Sequence, residues 1–119
     1  MLIRNVHDCQ EFMSGDGCRI REILHPAKHP GAYRYSLAMA ELDAGETSKP
    51  HVLKTSEVYY ILAGEGLMRI DGEQARIKAG EAVVIPPRSV QSIANAGEAT
   101  LVFLCIVDPA WRAEDETVL

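Results

Sequence analysis

An all-β single domain, either a closed barrel or a double-sheet jelly roll, is predicted by three observations. First, glycine–glutamate pairs recur at 45–46, 64–65, 72–73, 80–81 and 97–98, the middle three eight residues apart. Glycine supplies the positive φ of a tight turn and the acid keeps the loop in water, so this rhythm marks a meander of short antiparallel strands. Second, the segments between turns (Val58–Leu62, Ala82–Ile85, Leu101–Val107) are rich in β-branched and aromatic residues and too short for helices. Third, Asp71-Gly72 joins Leu67–Ile70 to Gln74–Lys78 as a two-residue hairpin turn.

Taken in order, residues 5–13 have room for one helical turn, followed by strands over Arg19–Leu24 and Tyr33–Leu42. His25 to Gly31 is a loop, because two prolines remove ladder donors. Lys49–Leu53 and Val90–Asn95 are further strands, giving nine or ten in all, typical of a jelly roll. Period-two alternation directs Met68, Ile70, Ala75 and Ile77 to a core, and Arg69, Gln74, Arg76 and Lys78 to water. The segment Pro109 to Leu119, acidic apart from Trp111 and Arg112, is expected to cross the surface.

The 119 residues fit one domain over 1–119. Lys plus Arg number 12 against 17 Asp plus Glu, a formal charge of −5, and no basic cluster occurs. That excludes the electrostatic footprint of a nucleic-acid binder. The longest apolar run, Leu101 to Val107, cannot span a bilayer, and the start reaches Arg4 before a secretory core could form. Three cysteines (Cys9, Cys18, Cys105) without a C-x-x-C indicate neither a disulfide framework nor a zinc knuckle. A reduced, cytoplasmic protein is expected, with no nucleic-acid or membrane partner. Cys105 reads as a small buried hydrophobe, and His7, His25 and His29 as solvated surface residues.

One constellation has chemical content. His51 shares a strand face with Leu53; on the next strand Glu57, Tyr59 and Ile61 share a face; after Pro86-Pro87, Gln91 and Ile93 do. If those faces are interior, an imidazole, a carboxylate and an amide oxygen converge, N and O donors suited to a divalent first-row metal with positions left open. The same residues also fit a metal-free arrangement. A His51–Glu57 hydrogen-bonded pair would then serve as a polar handle or an acid/base, with Tyr59 entering the cavity or simply packing in the core.

At these positions the sequence resembles the cupin superfamily. The first cupin motif, G-x5-H-x-H-x3-E-x6-G, is matched by Gly45, His51, Glu57 and Gly64, with Leu53 at the second histidine. The second, G-x5-P-x-G-x2-H-x3-N, is matched by Gly80, Pro86 and Asn95, with Arg88 at the glycine and Gln91 at the histidine. The resemblance, centred on 45–66 and 80–95, implies a single-domain double-stranded β-helix of the small conserved-barrel type. It implies a cavity for a small polar metabolite and a divalent ion (iron, manganese, zinc or nickel) held by His51, Glu57 and Gln91. Isomerase, lyase or dioxygenase chemistry is then open, with His51, Glu57 and Tyr59 as the catalytic candidates. The alternative is a metal-free or non-catalytic binding module, in which Leu53 and Gln91 are adaptations to an organic ligand. Small cupins commonly pair, so a homodimer is expected.

Overall fold

The computed structural model describes residues 1–119 and contains eleven strands and two short 3-10 turns, with no α-helix. The strands are β1 (Glu11–Met13), β2 (Arg19–Leu24), β3 (Ser36–Leu42), β4 (His51–Leu53), β5 (Ser56–Ala63) and β6 (Glu65–Ile70). They continue as β7 (Glu73–Lys78), β8 (Ala82–Ile85), β9 (Val90–Asn95), β10 (Leu101–Asp108) and β11 (Glu116–Val118). Two antiparallel sheets form, one ordered β1-β2-β3-β10-β5-β8 and the other β11-β4-β9-β6-β7. This is the double-stranded β-helix expected of the chain.

Alternation builds the core between the sheets. Glu57, Tyr59 and Ile61 of β5 and Leu101, Phe103, Cys105 and Val107 of β10 all point inward. The rings of Tyr59 and Phe103 pack at a 4.6 Å centroid separation, and Leu42, Ile61, Ile85, Ile93, Leu101 and Phe103 are fully enclosed. The turns follow the predicted chemistry. Asp71 (φ 49°) and Gly72 (φ 85°) take the two left-handed positions of the β6–β7 hairpin. Gly64 (φ 84°), between β5 and β6, passes so near the backbone that an added Cβ would lie 2.8 Å from the Thr100 carbonyl. Asn95 staples the last turn: its amide donates to Leu42 O and Ala99 O, and its oxygen accepts from Gly97 N.

Several expectations are corrected. The opening segment makes only a 3-10 turn at Val6–Asp8 before β1 pairs with β2. The strand expected from Lys49 begins at His51, because Pro50 has no N–H to donate. Ala75 is exposed rather than buried: β7 lies at a sheet edge and only its Ile77 is buried in the core. His25 and His29 are not free surface residues. His25 Nε2 bonds Trp111 O at 2.8 Å and His29 Nδ1 accepts from His25 N, closing the proline-bounded loop. The C-terminal segment does not merely cross the surface; its last residues form β11, which pairs with β4.

Candidate functional site

A cavity of about 370 Å³ opens between the sheets, beneath the β1–β2 turn and the C-terminal segment. Its mouth is rimmed by exposed apolar side chains, Phe12, Met13 and Trp111. Its wall is mostly apolar, and its polar side carries Asp16, His51, Glu57 and Glu116. Lys28 is the only lysine or arginine on the wall, and it is paired with Glu22 at 2.7 Å.

His51 enters from β4, where it lies directly across the ladder from Gln91 of β9 and is 2% exposed. Its Nδ1 stands 2.8 Å from the Lys49 carbonyl. A carbonyl only accepts, so Nδ1 carries the hydrogen and the lone pair of the neutral ring is at Nε2. That Nε2 lies 3.4 Å from Asp16 Oδ2. Asp16, 7% exposed, belongs to the turn between β1 and β2. Its Oδ1 accepts from the Ser14 hydroxyl and from Cys18 N, leaving Oδ2 for the cavity. The Lys49 backbone fixes both groups, since its N–H donates to Asp16 O at 2.7 Å while its carbonyl holds the imidazole.

Glu116 completes the cluster. It lies opposite Leu53 in the β11–β4 ladder, and residues directly opposite share a face, so the inward turn of Leu53 carries Glu116 inward too. Ligand atoms of Asp16, His51 and Glu116 all lie within 4.8 Å of one another. Half-burial raises the Glu116 carboxyl above its usual range, with the nearby His51 opposing the shift.

Glu57 reaches the same cavity from the facing sheet and is 6% exposed. Burial pushes its pKa up to about 8, partly offset by the nearby Gln91 amide. Its Oε1 has no hydrogen-bond partner, and neither has Gln91 Nε2. Gln91 itself does not line the cavity. Its Oε1 accepts from the Tyr59 hydroxyl at 3.1 Å, in a fully buried contact. Burial and the neighbouring Glu57 hold the Tyr59 phenol well above its ordinary value.

Of the residues singled out from sequence, His51, Glu57 and Tyr59 therefore meet at the cavity, and Gln91 stands behind Tyr59. Sequence reasoning missed Asp16 and Glu116, which lie outside both motifs. The local signals were the Ser14-Gly15-Asp16-Gly17 turn and the β-branched pair Thr117-Val118 beside Glu116. Neither reveals that the two ends of the chain close on one point.

Comparison with known proteins decides the family: residues 38–107 match the model of the cupin domain. The chain belongs to the cupin family. An uncharacterized protein of Methanocaldococcus jannaschii is 38% identical over 120 residues, covering 99% of this cupin and 95% of the relative. An oxalate-binding protein of Thermotoga maritima is 39% identical over 51 residues, covering 43% and 42% of the two chains. A Thermotoga maritima crystal structure described as a predicted oxalate decarboxylase superposes with a TM-score of 0.76 at 25% identity, over 89% of this chain and 97% of that one. The Lactobacillus farciminis oxalate decarboxylase superposes with a TM-score of 0.81 at 20% identity. This cupin covers 34% of that longer chain, and at that identity the likeness shows the fold alone.

Proposed function

We propose that this cupin binds a small polar metabolite, of the small carboxylate class, at a divalent cation held in its barrel cavity. The observation that carries the reading is the acidity of the lining: of its four acidic residues Glu22 is paired with the sole lysine, which leaves Asp16 and Glu116, with the proton-holding Glu57, beside one imidazole. Such a surface repels an anion and attracts a cation. The oxalate-binding relative favours a dicarboxylate ligand, and a dicarboxylate can enter this cavity only if a metal reverses the local charge. The donors suit the metal. An imidazole lone pair with carboxylate oxygens is a set that manganese, iron, zinc and nickel accept. Of the family's motif positions, His51 and Glu57 line the cavity, while Gln91 stays bonded to Tyr59 behind it.

When bound, the metal would polarise a carboxylate or carbonyl of the ligand as a Lewis acid. The chain's own residues do the rest. The apolar wall and the rim of Phe12, Met13 and Trp111 exclude water, and the Tyr59–Gln91 bond fixes one side of the pocket. A catalytic reading, in which the bound molecule is isomerised, cleaved or oxidised, is favoured by one observation. Glu57, with a pKa near 8, can hold or release a proton at Oε1 close to neutral pH.

The expected partner besides the ligand is a second copy of the chain. The outer face of β3, β10, β5 and β8 presents Leu37, Met39, Val58, Tyr60, Leu104 and Ile106 in adjoining registers, flanked by Val84, 69% exposed. An apolar sheet face of this kind is covered by a self-complementary contact about a two-fold axis.

Thermal unfolding of tag-free protein with oxalate tests the ligand reading, run with manganese and with a chelator. Oxalate is expected to raise the melting temperature only when manganese is present. A rise of the same size in chelator would overturn it.

A further inference from the structure

We infer that the cation is held by His51, at the first cupin histidine position, together with Asp16 and Glu116 from outside both motifs, and not by the remaining motif positions. The inference rests on the cation-dependent reading above and names the residues that make it work. It begins with a conflict. With its Nδ1 hydrogen committed to the Lys49 carbonyl, His51 turns Nε2 toward Asp16 Oδ2 at 3.4 Å. Two acceptors facing each other in a buried site are unfavourable unless a positive charge lies between them. A proton on Nε2 would serve, and so would a metal ion. Glu116 adds a third donor, the ligand atoms of the three residues lying within 4.8 Å of one another, which is more coordination than a single proton can use. The 3.4 Å separation is also what two ligand atoms adopt on one tetrahedral ion with bonds of about 2.1 Å.

An independent observation points the same way. Glu57, on the opposite sheet and lining the same cavity, is buried with Oε1 unpartnered. The Gln91 amide beside it is equally unpartnered, so this wall of the cavity holds a polar pair whose bonding is incomplete without a further group.

The replacement of the family's histidines has a geometric explanation. Leu53 occupies the second histidine position, and Glu116 is its direct partner across the β4–β11 ladder. Directly opposed side chains have their Cβ atoms about 5 Å apart, so a carboxylate from β11 reaches the region a histidine at 53 would have served. Asp16 arrives from the other end of the chain, its turn tied to Lys49 two residues before His51. The ion would then tie the β1–β2 turn and the C-terminal strand to β4, making the order of both chain ends metal-dependent.

The test is calorimetric titration of the full-length, tag-free protein with manganese chloride. Wild type is compared with Asp16→Asn, Glu116→Gln and Glu73→Gln, the last a charge control on the exposed β7 strand. Asp16 also supports its own turn, so Glu116→Gln, whose amide oxygen can still accept from Trp111, is the deciding variant. Carboxypeptidase trimming of the C-terminus is followed in parallel. The expected result is one site in wild type, an affinity at least tenfold lower in Asp16→Asn and Glu116→Gln, and no change in Glu73→Gln. Manganese should slow trimming of wild type but not of Glu116→Gln. If wild type binds manganese and Glu116→Gln keeps that affinity within threefold with its C-terminus still protected, the ligand assignment is overturned while the functional reading stands. If wild type binds no manganese, both fall.

Discussion

Glu57 and Gln91 show how position and role separate at the level of single side chains. Both lie at motif positions and both are buried, yet the carboxyl faces the cavity while the amide spends its oxygen on Tyr59. The inward direction of each was legible from period-two alternation, because a strand face is fixed once a neighbour such as Ile61 or Ile93 is assigned to the core. The partner of the Gln91 oxygen was not legible, since it depends on the approach of Tyr59 from the facing sheet. Arg88 is a similar case. It stands where the motif has glycine and adopts φ 68°, so the left-handed conformation persists without the residue that tolerates it best. The Glu57 pKa of about 8, against the usual 4.5, has a consequence for stability. Between those values the folded protein binds a proton that the unfolded chain has released, so the contribution of Glu57 to stability is full below pH 4.5 and is lost as pH rises through 8. Melting curves of metal-free protein between pH 5 and 8.5 should show this decline. Glu57→Gln should flatten it, by up to about 1.4 kcal/mol per pH unit where the two forms differ by a whole proton. Parallel curves for the two proteins would contradict the assignment.

Among the elements, the strands between glycine–glutamate turns were the most readable, because turn chemistry and alternation are local. The ends of the chain were the least. β1 and β11 are three residues each, too short for a periodic signal, and they exist through pairing with β2 and β4 rather than through propensity. That is why Asp16 and Glu116 escaped notice while His51 did not. The sheet β3-β10-β5-β8 makes a prediction of its own. Its inner face packs the core, and its outer face repeats the same alternation with Tyr60, Leu104 and Ile106 turned to the surface. Light scattering of the purified protein should give twice the mass of 13.1 kDa, and Ile106→Glu should shift it to the monomer with its circular dichroism unchanged. A monomeric wild type at micromolar concentration would show that this face is not a dimer contact.

For the molecule as a whole, the sequence and the fold agree on a small cupin whose two sheets enclose one acidic-sided cavity. The barrel supplies the frame, and Asp16 and Glu116, outside the family's motifs, add acidic groups from the segments that cover the cavity. The net charge of −5 belongs to the chain as a whole, but the cavity concentrates the effect: a buried imidazole and four acidic residues, with the one lysine paired to Glu22. The proposed order of binding, a cation first and an anionic ligand through it, rests on that composition. The most direct test is a crystal structure of protein soaked in manganese, with anomalous scattering recorded at a wavelength where manganese contributes. A single strong peak ligated by His51 Nε2, Asp16 and Glu116 is the predicted result. A peak elsewhere on the chain, or none at a soak concentration that saturates binding in solution, would contradict it.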